Sequence, residues 1–253
     1  MESLATVILA AGQGKRMKSG LAKILHPVCG RPMVVYVIKT ARVVGSDRVI
    51  LVVGHQRKRV VQDLQQEEVE FVVQEQQLGT AHALLQTKQV LLDFRGELLV
   101  LCGDTPLLSS PTVSQLLERH RASGASATVL TAILENPHGY GRILRDRGNM
   151  LDAIVEEKDA TDDQRTIKEV NTGAYCFRAP LIFDVLEKIG QDNRQGEFYL
   201  TDVIAVLRFQ RLPVAAVVAE DARDVLGVNS AEQLLEVERI MAQRLGAKIE
   251  KKG

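Results

Sequence analysis

The chain has 253 residues, 45% hydrophobic and 25% charged, and its 32 lysines and arginines balance its 32 aspartates and glutamates. That length holds one large α/β domain or two small ones. The even charge excludes a global field that would recruit nucleic acid or an acidic membrane, so an anion must be bound by local clustering. No run of about eighteen apolar residues exists to span a bilayer. Three cysteines (Cys29, Cys102, Cys176) stand far apart without a CxxC pair, which argues for reduced thiols in a cytoplasmic protein and for neither a disulfide frame nor a zinc site.

The first stretch, residues 6–23, reads TVILAAGQGKRMKSGLAK. An apolar run (Val7, Ile8, Leu9) passes into Ala10, Ala11, Gly12, Gln13 and Gly14, with Lys15, Arg16 and Lys18 close behind, the pattern of a buried strand emptying into a small-residue loop followed by cations. It suits a first strand better than a signal peptide, because no basic residue precedes it. Glycines let backbone N–H groups approach a ligand, and fixed positive charge favours an anion, most economically a phosphate chain. Both standard phosphate loops fail here. Met17 stands where the second glycine of GxxxxGK[ST] and the third of GxGxxG belong, which argues against an ordinary kinase or GTPase and against a nicotinamide dehydrogenase.

Periodicity then predicts a helix over 33–43, an apolar strand over 48–53, an extended segment 70–74, a loop 76–80 and a helix 81–90. Residues 97–102 form another apolar strand that ends in Gly103-Asp104-Thr105-Pro106. A helix over 112–123 and a strand over 127–134 follow. Strands apolar on both faces and alternating with helices describe a mostly parallel sheet covered on both sides. Ligands sit beyond the carboxyl ends of such strands, where the loops after residues 9, 74 and 102 lie. From Pro137 the texture changes to short alternating segments (HGYGRILRD, NMLDAIVEEKDA and 167–173), expected to be shorter, partly antiparallel strands that build a lobe on the main sheet. Residues 181–189 are helical and 195–202 form a loop entering a helix to Arg208. Residues 214–218 are a strand and 224–229 a loop, before an amphipathic helix from Ser230 to about Lys248 with Leu234, Leu235, Val237, Ile240, Met241 and Leu245 apolar.

Asp104, freed by a glycine just past a buried strand, is placed either to hold a divalent cation or to cap the helix that follows. Lys15 and Lys18 read as solvated surface cations. None of the five histidines has metal spacing or a nucleophile partner; His82 reads as packed or capping, and His26, His55, His120 and His138 as structural.

Residues 9–17, with Lys23, Leu25, His26, Pro27, Gly30, Pro32 and Met33, resemble the LAAGxGxRM…LxKxLHPVxGxPM signature of the sugar-1-phosphate nucleotidyltransferases. Within that family, the later motifs resemble the uridylyltransferase (pyrophosphorylase) domain that makes UDP-N-acetylglucosamine. The resemblance runs to Asn229 and implies a Rossmann-like α/β fold of the nucleotide-diphospho-sugar transferase type, with a mostly parallel sheet, helices on both faces and a smaller, β-rich sugar-binding lobe. It implies UTP and N-acetylglucosamine 1-phosphate as substrates, UDP-N-acetylglucosamine and pyrophosphate as products, and a role in peptidoglycan precursor synthesis. It also implies Mg²⁺ held by Asp104 (LCGD) and Asn229 (GVNS), with Arg16 and Lys23 as catalytic cations on the triphosphate. Carried over position by position, Leu9, Ala10, Ala11 and Gly12 cradle the nucleotide, and Gln74, Gly79 and Thr80 read uracil. Cys102 and Gly103 offer backbone contacts, Gly141 (GYGRI, with Tyr140 and Arg142), Glu156 and Asn171 meet the sugar, and Glu197, Tyr199 and Thr201 lie near it.

Bacterial bifunctional relatives continue from a long helix into a left-handed β-helix that acetylates glucosamine 1-phosphate and trimerises. The sequence stops at Gly253, so the expectation is a nucleotidyltransferase domain over 1–229 and a C-terminal helix over 230–253, with the acetyltransferase absent. That leaves a homo-oligomer open, the helix packing either on its own domain or on a neighbour. Two other functions stay open: transfer to another sugar 1-phosphate or of another base, and a non-catalytic nucleotide-sugar sensor.

Overall fold

The computed structural model describes residues 3–17 and 19–246, the side chain of Lys15 aside. Lys18 and the last residues of the final predicted helix lie outside the described residues. In chain order the elements are β1 (Leu4–Leu9), a small hairpin β2 (Pro27–Val28) and β3 (Arg31–Pro32), α1 (Met33–Val43), β4 (Arg48–Val53), α2 (Arg57–Asp63), β5 (Glu70–Val73) and α3 (Thr80–Leu85). Next come β6 (Gly96–Cys102), α4 (Ser110–Ser123), β7 (Ala127–Ile133), β8 (Arg142–Arg145), β9 (Leu151–Val155), α5 (Asp162–Arg165), β10 (Glu169–Ala179), α6 (Leu181–Leu186), α7 (Asp202–Phe209), β11 (Val214–Val218) and α8 (Ala231–Leu245).

The main sheet runs β11-β7-β10-β6-β1-β4-β5, and β8 and β9 attach to it through β10. β1 is parallel to β4 and β6, β4 to β5, and β7 to β11. β10 alone in the main row runs the other way, antiparallel to both β6 and β7. The apolar runs read from the sequence are therefore parallel strands buried on both faces. On one face Ile8, Leu51, Leu99, Leu101 and Leu130 pack with α1, α2 and α4; on the other Val7, Ile50, Val52, Val100, Val129 and Phe177 pack with α3, α6 and α7. Adjacent residues of one strand point to opposite layers, as the period of two requires.

Two expectations change. The segment 167–173, expected as a short strand of the lobe, is longer: from Glu169 it opens the eleven-residue β10, which pairs with β8 of the lobe and with β6 and β7 of the main sheet. The helix expected over 81–90 ends at Leu85, and turns carry the chain to Asp93. The short helix α2 gave no sequence signal, since only Val60 among its residues is buried. α8 starts at an N-cap, Ser230, whose hydroxyl accepts from Gln233 N–H, and ends at Gly246 with φ +67°. Its Val237, Ile240 and Met241 pack on Met17, Val28, Met33 and Leu107, so the helix lies on its own chain.

Candidate active site

Register decides where the site forms. Leu9 pairs with both Val52 and Cys102, so β1, β4 and β6 end together and the loops after Leu9 and Cys102 leave the same edge side by side. β7 and β11 finish at that edge too, and β10, being reversed, begins there, with Asn171 opposite Thr131. One cavity of about 300 Å³ opens at this edge. Of the residues singled out from sequence as site candidates, it brings together Leu9, Arg16, Thr80, Cys102, Asp104, Tyr140, Gly141, Glu156, Asn171, Thr201 and Asn229.

The centre is a knot of charge. Lys23 Nζ donates to Asp104 Oδ2 and, at 2.6 Å, to Asn229 Oδ1, and Arg16 donates to the same amide oxygen at 2.8 Å. Asp104 and Asn229 are carried by different loops, and Val228 N–H donates to Asp104 C=O at 2.9 Å to hold those loops together. The Asn229 backbone N–H donates to Gln233 Oε1 at 2.8 Å, so the residue at the third position of α8 fixes the main chain from which the Asn229 side chain projects. Sequence reading passed over Gln233, although the Ser230-x-x-Gln233 spacing of a capping box was there to be read.

Around this knot, Gly12 is exposed and would leave an added Cβ in open space, so its backbone is accessible. Ala10 and Ala11 are buried, and Gly103 N–H is already donated to Leu9 C=O at 2.9 Å. Gln74 lies beneath its loop, almost fully buried, donating to Gly79 C=O at 3.0 Å and lying 2.9 Å from His82 Nδ1. Gln74 and Gly79 thus sit outside the cavity lining, bracing the loop that presents Thr80. Gly79 has φ +116°, and an added Cβ would fall 2.4 Å from Phe198 C=O, so only glycine fits there. Thr80 Oγ accepts from Leu200 N–H at 3.0 Å.

At the far end Glu156 and Glu157 part company. Glu156 turns inward and accepts from Thr201 hydroxyl at 3.1 Å; burial raises its carboxyl above the usual range, and the nearby Asp202, Asp159 and Glu197 charges add to that. Glu157 pairs with Arg142 at 2.7 Å, and the Arg142 side chain, 2% exposed, also donates to Tyr140 C=O. Arg142 therefore braces the lobe and leaves the cavity to Tyr140 and Gly141. Burial beside Asp104 pushes the Cys102 thiol up to about 12, which keeps it protonated and unreactive. His138, Thr105, Thr172, Gly227 and Gln233 also line the cavity, each near a motif residue but assigned no ligand role from the sequence.

Residues 6–173 match the MobA-like NTP transferase domain family. The chain belongs to that family. It is also similar to curated proteins named bifunctional protein GlmU. That of Syntrophotalea carbinolica is 47% identical over 252 residues, covering 100% of this chain and 54% of the relative. That of Listeria monocytogenes serotype 4b is 48% identical over 239 residues (94% of this chain, 52% of the relative), and that of Bacillus licheniformis 45% over 245 residues (97% and 54%). The chain thus spans about half the length of the curated relatives it matches. Among the described residues no helix is long and apolar enough to cross a membrane.

Proposed function

We propose that this chain transfers a uridylyl group from UTP to N-acetylglucosamine 1-phosphate and releases pyrophosphate. The observation that carries the proposal is that Arg16, Asp104 and Asn229, the last two bonded to Lys23 behind them, line the same cavity as Glu156, Asn171 and Thr201. The first group suits a polyphosphate and the second a hydroxyl-rich, neutral ring. The family match supports nucleotidyl transfer, and the likeness to bifunctional GlmU proteins supports this pair of substrates.

The donor set fits a divalent cation. A carboxylate oxygen and an amide oxygen already converge on one positive charge, the ammonium of Lys23. Mg²⁺ typically takes one or two protein oxygens and leaves its other positions to water and phosphate. Asp104 and Asn229 would hold Mg²⁺, which supplies charge neutralisation at the α-phosphoryl group and the departing pyrophosphate. The sugar phosphate is an anionic nucleophile at neutral pH, so no side-chain base is needed. The protein's work is to align two anions and stabilise the charge that develops. Arg16 offers a planar fork to phosphate oxygens and Lys23 a point charge. The exposed backbone at Gly12 lets the chain follow the triphosphate. Gly141, Glu156 and Asn171 orient the acceptor, Asn171 being able both to donate and to accept.

A pyrophosphate-release assay across nucleoside triphosphates and sugar 1-phosphates, with and without Mg²⁺, tests this. The expected result is Mg²⁺-dependent release that is fastest with UTP and N-acetylglucosamine 1-phosphate. Release with another pair only, or nucleotide binding without turnover, would overturn it.

A further inference from the structure

Away from the cavity, a buried carboxylate is fully occupied by groups that have no part in the chemistry. Asp224 is 5% exposed. Its Oδ2 accepts from the hydroxyls of Ser109 and Thr112, and its Oδ1 from Arg244 Nη2 at 2.6 Å. Arg244, on the last turn of α8, sends Nη1 to Leu107 C=O at 2.7 Å. These partners come from two segments. Ser109 caps α4 and stands five residues after Asp104; Asp224 stands five residues before Asn229. The two strips are thus joined beside the site by the Val228–Asp104 backbone bond and again at this distal knot.

We infer that Asp224, with Arg244, is a positioning residue that sets the distance between Asp104 and Asn229. This inference rests on the proposed function of that pair. Asp224 does not line the cavity and contacts no candidate ligand, so it acts only by fixing the loops. A buried carboxylate is costly unless its oxygens are satisfied. Here three donors from α4 and α8 satisfy both, which gives the two loops a single arrangement. Without the charge, α4 and α8 no longer share a carboxylate, and the strips are left to the Val228–Asp104 backbone bond, the Lys23 bridge and the packing of Leu107 with Val228.

The test uses the full chain, with Mn²⁺ as a paramagnetic probe titrated alone and with UTP, and hydrogen exchange followed over peptides spanning 104–109 and 224–229. Asp224→Asn is expected to weaken Mn²⁺ binding about tenfold and raise the Mg²⁺ concentration for half-maximal turnover by a similar factor. KM for the sugar phosphate at saturating Mg²⁺ should stay within about twofold, and both peptides should exchange faster at temperatures where the variant is folded. Arg244→Gln, at a half-exposed position, gives a smaller shift in the same direction and serves where Asp224→Asn does not fold. Unchanged Mn²⁺ binding and exchange in a folded variant, with only a lowered melting temperature, would overturn the inference by showing a purely structural role. A wild-type chain that binds Mn²⁺ but makes no nucleotide sugar would refute the proposed function alone, since binding and exchange still decide the role of Asp224. Absence of Mn²⁺ binding to the wild type, with and without UTP, would overturn both.

Discussion

At the scale of single residues, the site is a set of charges whose neighbours decide their use. Asp104 is the one carboxylate in the knot with Lys23 and Asn229, so Asp104→Ala should cut kcat at least 10²-fold, as loss of a major electrostatic contact does; near-normal pyrophosphate release would remove it from the mechanism. Glu156 gives a pH test. Its carboxyl is raised in the folded protein, mainly by burial, so the folded state holds the proton more tightly than the unfolded chain. Stability contributed at this position is complete below the ordinary carboxylate value and declines as pH rises through the window up to the raised value. Glu156→Gln removes the decline, so the melting temperature of the variant relative to wild type should climb as pH rises above the ordinary carboxylate value; a constant difference would contradict this. Asp104 was legible from sequence because a glycine and an apolar strand precede it. The division of labour between Glu156 and Glu157 was not, because both lie in the turn that follows β9, where no periodicity tells which carboxylate enters the cavity and which meets Arg142.

At the scale of elements, loops are fixed by contacts with distant backbone. Gly79→Ala forces a left-handed residue against Phe198 C=O. A strained backbone of this kind costs about 1–3 kcal/mol, and the loop carrying Thr80 must shift. The unfolding midpoint in urea should fall accordingly and KM for UTP should rise several-fold; a fall in midpoint with KM unchanged would show that the loop does not meet the nucleotide. Ser230→Ala removes the α8 cap, expected to cost about 1 kcal/mol, readable in the same experiment. The parallel strands β1, β4 and β6 were plain in the sequence as continuous apolar runs. The placement of β10 was not, because apolar alternation carries no information about direction or about which strands a segment joins.

At the scale of the whole molecule, α8 completes the body that carries the site. Burying Val237, Ile240 and Met241 contributes about 1.5–3 kcal/mol each as an upper estimate, comparable in sum with the 5–15 kcal/mol that holds a domain folded. A chain ending at Asn229 would also lose Arg244 and Gln233, the partners of Asp224 and Asn229. It should lose its cooperative thermal transition and expose Met33 and Leu107; a cooperative melt within a few degrees of the full chain would contradict this. The amphipathic spacing of this helix was visible in the sequence. Its partners were not, since Met17, Val28 and Leu107 come from three separate stretches that only the sheet brings together.

The reversed direction of β10 carries one more consequence. Ile133 is paired with Glu169, and Leu134 N–H donates to Lys168 C=O at 3.0 Å, so the intervening excursion leaves and returns at adjacent points. Between those points lie β8, β9 and α5, and the excursion is keyed into the frame it leaves: Ile143, Leu151 and Ile154 share a core with Phe183, Leu200 and Val203, and Arg208 donates to Asp146 at 2.8 Å. Any exchange of residues 136–167 would therefore have to bring matching partners on α6 and α7, so this excursion and those helices form one inherited unit.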